Sequence, residues 1–281
     1  MLRVGPDEAL ARPSEAAARA APGDTVLIRA GRYSDCAVWH TPRITIAAEG
    51  GPVEITAPAC PGGGLFVIAA PDVTVRGLSF RGARAPEGNG AGIRAAGGSL
   101  AVIASRFEGN ENGILTAAHL PGARLVIEDS VFAGNGALVH ECAHGLYAGM
   151  LAEVVVRRSR FIANRICHHL KSRAARTEIT DSHFEDGPER GSSYLVDIPN
   201  GGDLLMRGNL LIKGPRTDNP LTAVMIGAEG VRHPTRSLVI EANRFENRLP
   251  HPVAFVVNRS GTPVELRGNV LVGRATALGG P

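Results

Sequence analysis

The 281-residue chain is poor in aromatic side chains, with eight Phe, three Tyr and one Trp, so aliphatic groups must fill its interior. Lysine is nearly missing: of 30 cationic side chains only Lys171 and Lys213 are not arginine. No apolar run reaches the roughly 18 residues of a membrane-spanning helix, so nothing here spans a membrane. MLRVGPDEAL lacks the apolar core of a signal peptide, which places a complete chain in the cytoplasm, or in the periplasm or outside the cell if a leader was removed. The four cysteines, Cys36, Cys60, Cys142 and Cys167, are scattered without a CxxC pair, so neither a disulfide framework nor a zinc knuckle is expected. No block of like charge marks a nucleic-acid tail, and the net charge of +3 leans only mildly towards anionic partners. There is no collagen-like Gly period, and 44% hydrophobic residues are too many for a disordered chain.

What is present is a repeat. VTVRGLSF, LAVIASRF, LVIEDSVF, VVVRRSRF, TEITDSHF, LLMRGNLL, LVIEANRF and VELRGNVL recur from about residue 73. Their anchors are Phe80, Phe107, Phe132, Phe161, Phe184, Leu211, Phe245 and Leu271, with gaps of 27, 25, 29, 23, 27, 34 and 26 residues. A period in the twenties marks a solenoid. Apolar and polar residues alternate with period two, so the units are strands. Turn pairs such as GN, NG and DG divide each unit into about three short strands. The chain therefore predicts one all-β domain over 1–281, a parallel β-helix. Equivalent residues then stack about 4.8 Å apart. Phe132, Phe161 and Phe184 form an interior stack. Ser130, Ser159, Ser182, Asn209, Asn243 and Asn269 form a polar ladder at a turn.

An Ala-rich segment at about 6–21 predicts an N-terminal helix over the open end of the stack, with coils at about 24–275. The opening GDTVLIRAGRY and the SRF/NRF phrase resemble the right-handed parallel β-helix (pectate-lyase-like) superfamily across nearly the whole chain. The resemblance implies the fold. For activity it implies only a range, since the superfamily contains lyases, hydrolases, epimerases and non-catalytic binders.

Period two assigns faces on the strand after each anchor. In HHLKSRA (168–174), Leu170 and Ser172 point in and His169, Lys171 and Arg173 point out. In SYLVDIPNG (193–201), Tyr194, Val196 and Ile198 point in and Leu195 and Asp197 point out. Counting back from the next anchor puts Tyr147, Lys171 and Asp197 in one outward column. Five of nine histidines lie in residues 140–183. A lysine can lose its proton where arginine cannot, and Arg173 beside it favours that loss.

HECAH (140–144) matches the H-E-x-x-H zinc signature. That chemistry needs both histidines on one helical turn, whereas four positions along a strand span about 13 Å. No metal site is therefore assigned, and no cofactor; calcium or another divalent ion is not indicated. Polygalacturonase-type Asp-Asp, Gly-His-Gly and Arg-x-Lys are missing. Lys171-Ser172 resembles half of the Lys-Ser and Arg pattern of alginate- and chondroitin-type β-helix lyases, but Asp197 stands where their Arg is expected.

The expected function is β-elimination at a uronic acid of an acidic polysaccharide. Arg173 would neutralise the carboxylate, and Lys171 or Tyr147 would be the base. His169, His144 or Tyr147 would be the acid, with Asp197 either orienting Lys171 or, by its charge, favouring Lys171 as the acid instead. His168, Asn200, Arg216, Asn219 and Glu229 are candidate substrate contacts, the loops at 185–193 and 213–221 being cleft walls. The alternatives are a non-catalytic polysaccharide-binding or assembly module, a uronate C5-epimerase, and a metal enzyme built on His140, His144 and His168.

Overall fold

A computed structural model describes residues 1–56, 58–138, 142–189 and 191–280. The chain winds into a right-handed parallel β-helix. One wall is a ten-stranded parallel sheet running from Ala37–Trp39 through Leu146–Ala148, Leu170–Ser172 and Val196–Ile198 to Ala275–Leu278. Nineteen further strands make the other walls. They join into one sheet because long strands such as Thr45–Thr56 turn the corner and pair with both Val73–Arg76 and Leu78–Arg81.

The anchors stack as the repeat requires. Phe107 pairs in register with Phe80 and Phe132, and Phe161 with Phe132 and Phe184. Ring centroids from Phe107 to Phe184 are 4.6–4.7 Å apart and the ring planes nearly parallel. All of these rings are fully buried. The polar ladder forms as well. Each side chain accepts from the backbone N–H one rung earlier, as in Ser159 Oγ from Ser130 N (3.1 Å) and Asn243 Oδ1 from Asn209 N (3.0 Å). The residue before each rung sits in the left-handed region, at φ 51° for Asp129, 45° for Arg158 and 51° for Asp181. A bend of that kind aims the next side chain along the stack; the ladder holds a non-glycine residue in it before Ser130, Ser159, Ser182 and Asn243, and glycine fills it before Asn209 and Asn269.

Three expectations need correction or refinement. The predicted helix at about 6–21 shrinks to five residues, Pro13–Ala17, and a strand, Leu2–Val4, precedes it. Proline disfavours helix in the residue before it, so Pro6, Pro13 and Pro22 confine the helix. The cysteines do form disulfides, Cys36–Cys60 and Cys142–Cys167. Their separations, 24 and 25 residues, are one coil of the repeat, so each pair lies on adjacent rungs with Cα atoms 5.2 and 5.7 Å apart.

The third correction concerns faces. The strands in the middle of the ten-stranded wall begin at a corner with two successive inward residues. Register aligns Gly92, Gly113, Gly145, His169, Leu195 and Ala223 at the first of these. His169 and Leu195 are therefore fully buried, against the outward reading, and Tyr194 faces out. A Cβ on Gly145 would lie 2.5 Å from the His169 carbonyl oxygen, so glycine is needed there. Because earlier coils carry Gly at this position, strict alternation hides the extra inward residue.

Candidate functional site

The outward column on the ten-stranded wall matches the count from the anchors. Tyr147 pairs with Lys171, and Lys171 with Asp197. Lys171 Nζ lies 3.2 Å from Asp197 Oδ2 and 2.6 Å from Glu229 Oε1. Arg173 Nη2 lies 2.6 Å from the other Glu229 oxygen, its Nε donates to Tyr147 Oη at 2.9 Å, and its Nη1 donates to Asn200 Oδ1. Asn200 Nδ2 in turn donates to the Gly230 carbonyl at 3.0 Å, which anchors the loop that carries Glu229.

Asp197 is buried, with one oxygen, Oδ1, lacking a hydrogen-bond partner among the described residues. Burial raises its carboxyl to about 6, although Lys171 pulls the other way. Partial burial also works to raise Glu229, but the hydrogen bonds from Lys171 and Arg173 outweigh it and hold that carboxyl low.

His144, His168 and Tyr194 stack in a second outward row, at 5.0 and 4.9 Å between ring centroids. His144 Nδ1 accepts from His168 N, and His168 Nδ1 accepts from Tyr194 N. Each imidazole is thus neutral with its proton on Nε2. Burial, reinforced by the charges of Lys171 and Arg173, lowers His144 to about 3. His168 is pushed down in the same way, and its Nε2 faces Asp197 Oδ2 at 3.4 Å.

Of the sequence candidates, Tyr147, Lys171, Arg173, Asp197, Asn200, Glu229, His144 and His168 converge here. His169 does not. Its Nδ1 accepts from Asn164 at 2.8 Å and its Nε2 faces Asp186 Oδ1 at 3.2 Å, inside the core. Arg216 lines a separate depression with Arg165 and Glu189. Asn219 lies beside Tyr194, on the edge of the histidine row. His140 and Glu141 of the HECAH motif lie outside the described residues. Among the described residues one cluster has metal-ligand chemistry, Cys142, His144 and Cys167, and its two sulfurs are joined to each other.

Sequence reasoning missed the role of Asp186. It accepts from Ser192 N and Oγ (2.7 and 2.8 Å), faces His169, and lies 3.9 Å from Lys213 Nζ. Burial lowers Lys213 to about 8. The second lysine is therefore a core ion, not a surface one. A doublet of rare residue types, Lys171 in the groove and Lys213 inside, was visible in the sequence; its division was not.

No protein-family model and no curated protein matches the chain. Among solved structures it is similar to pectin methylesterase from Aspergillus niger, at 10% identity over 99% of this chain and 90% of that one, with a TM-score of 0.45. A variant of the PL6-family alginate lyase AlyGC aligns at 16% identity over 93% of this chain but 38% of that one, TM-score 0.47. The Streptococcus pneumoniae surface protein and adhesin PfbA aligns at 11% identity, over 94% of this chain and 93% of that one, TM-score 0.40. At these values the strand register is what defines the class: a single-domain right-handed parallel β-helix with a charged outer groove.

Proposed function

We propose that the chain binds an acidic polysaccharide along the outer face of the ten-stranded wall and cleaves it by β-elimination at a uronic acid. The supporting observation is the position of Glu229. Its two carboxylate oxygens each lie 2.6 Å from a cation, one from Lys171 and one from Arg173, so the pair already seats one carboxylate. Its side chain is 43% exposed, on a loop, so a ligand carboxylate can take its place.

A uronate carboxylate held there loses its charge to the two cations, which makes the adjacent C–H acidic and stabilises the enolate-like state. Tyr147, one rung away with Arg173 Nε donating to its oxygen, acts as base through its phenolate form and becomes the phenol as it takes that proton. The electron pair forms the new C=C bond as the glycosidic C–O bond breaks. The leaving oxygen takes a proton from Lys171, which Asp197 holds in place, and after product leaves the proton taken from the sugar returns to Lys171 through solvent. His144, held neutral well below its ordinary range, and the enclosed His169 drop out of the acid role. C5-epimerisation shares the first step and differs in returning the proton to the opposite face.

The test is a screen over uronate polymers, read by the ultraviolet absorbance of the unsaturated product. Lys171→Ala should lower kcat/KM by about 100-fold or more while the fold persists. Wild-type protein that retards on an affinity gel but yields no product is a binding module, and deuterium uptake at C5 without product is the epimerase. Cleavage that survives Lys171→Ala would refute the roles of Lys171 and its neighbours in elimination.

A further inference from the structure

Arg94 belongs to the same outward column as the carboxylate seat. It pairs with Leu115, Leu115 with Tyr147, and Tyr147 with Lys171, so it stands three rungs from Lys171, about 14 Å along the stack. A groove of about 380 Å³ joins them, lined among others by Arg94, Asn112, His144, Tyr147, Lys171 and Arg173.

Arg94 is half-buried, and desolvation lowers the pKa of its guanidinium. Every other cation drawn into the interior or the groove has a carboxylate partner: Lys171 has Asp197 and Glu229, Arg173 has Glu229, and Lys213 has Asp186. Among the described residues Arg94 has none, and Leu115 and Tyr147 stand between it and Lys171 in the column. A charge partly taken out of water without compensation is unfavourable unless a ligand supplies the counter-charge. The planar fork of arginine matches a carboxylate. Between the two cationic points lie Leu115 and Tyr147, an apolar and an aromatic side chain on which a sugar ring can rest.

We propose that Arg94 is a second anion subsite, taking the carboxylate of another sugar unit of the same acidic oligosaccharide. The ligand then runs along the solenoid axis from the Lys171/Arg173 seat towards the N-terminal coils. The assignment rests on the uronate reading of the seat and adds to it the direction of the chain and a minimum ligand length.

The test is calorimetric titration, at low ionic strength, of galacturonate and guluronate oligomers of two to six units, with methyl-esterified oligomers of equal length as neutral controls. Wild-type affinity should rise about tenfold or more at the length that first reaches Arg94, for the acidic series only. Arg94→Gln should remove that step, and Arg94→Lys should restore part of it. The esterified ligands report the same step on the unaltered protein, should Arg94→Gln fold poorly. A step of equal size in Arg94→Gln, or in the esterified series, or no step in either acidic series, overturns the subsite. Unsaturated product is read separately. Its absence alongside an Arg94-dependent step rejects elimination and keeps the subsite. Its presence with an unchanged step does the reverse.

Discussion

Lys171 and Lys213 show how far a residue's chemistry depends on what surrounds it. Both are exceptions in an arginine-rich chain. One lies in the groove between two carboxylates, and the other is sealed in the core against Asp186 and the Ser192 and Ser193 carbonyls. Removing one partner of a buried pair leaves the other charge uncompensated. Asp186→Asn should therefore destabilise the protein by about 3–5 kcal/mol in urea unfolding, and adding Lys213→Met should recover part of the loss. At the groove the prediction has the opposite sense. If Glu229 occupies the seat of a ligand carboxylate, Glu229→Gln should lower KM, or Kd, for acidic oligosaccharides severalfold, which steady-state kinetics or titration will show. The outward column Tyr147, Lys171, Asp197 was legible because counting from the anchors fixes register. His169 was misread because a corner breaks the alternation, and the glycines beneath it carry no side chain to reveal the break.

Elements here are single rungs, and a rung is held mainly by its neighbours above and below. The stacked rings bury without leaving room for rearrangement, so Phe161→Ala should cost about 3–5 kcal/mol, measurable as a lowered denaturation midpoint. The disulfides act on the same scale. Each closes one coil, of 24 or 25 residues in separation, for which the chain-entropy account gives about 3.5 kcal/mol. Replacing Cys142 and Cys167 by serine should lower stability by about that amount, and the loss should match the effect of reductant on that bridge. The pairing was discoverable in principle, since both separations equal the repeat length. Short metal and redox motifs such as CxxC carry no trace of it, because the bridged residues are neighbours only once the coils stack. The N-terminal cap shows a similar limit: alanine content favours helix, but three prolines and the pairing of Leu2–Val4 with Thr25–Ser34 win locally.

For the whole molecule, the pattern of buried titratable groups sets how stability varies with pH. His144 is neutral in the fold with its pKa down to about 3, against about 6.5 when unfolded, and His168 is shifted the same way. Between those values the unfolded chain binds more protons, so stability should fall as pH drops below about 6.5. Asp197, raised to about 6, works against this between about 4 and 6, since there the folded chain holds the extra proton. Two histidines against one carboxyl leave a net acid loss. Lys213, lowered to about 8, adds a rise in stability between about 8 and 10.5. Thermal unfolding across pH 4–10 will show both limbs, and His144→Gln should flatten the acid one.

The solenoid follows from the sequence alone, because a period-two strand pattern repeated every 23–34 residues has one economical way to bury its anchors, by stacking them. The order of rungs follows too, and with it which residues share a column. Tertiary structure alone decided what the columns mean: that Glu229, 58 residues from Lys171, reaches back to bridge the cations, that Asp186 draws His169 and Lys213 inward, and that Arg94 has no carboxylate partner among the described residues. Those outcomes depend on loop paths and corner geometry, where contacts between residues far apart in number outweigh any local preference.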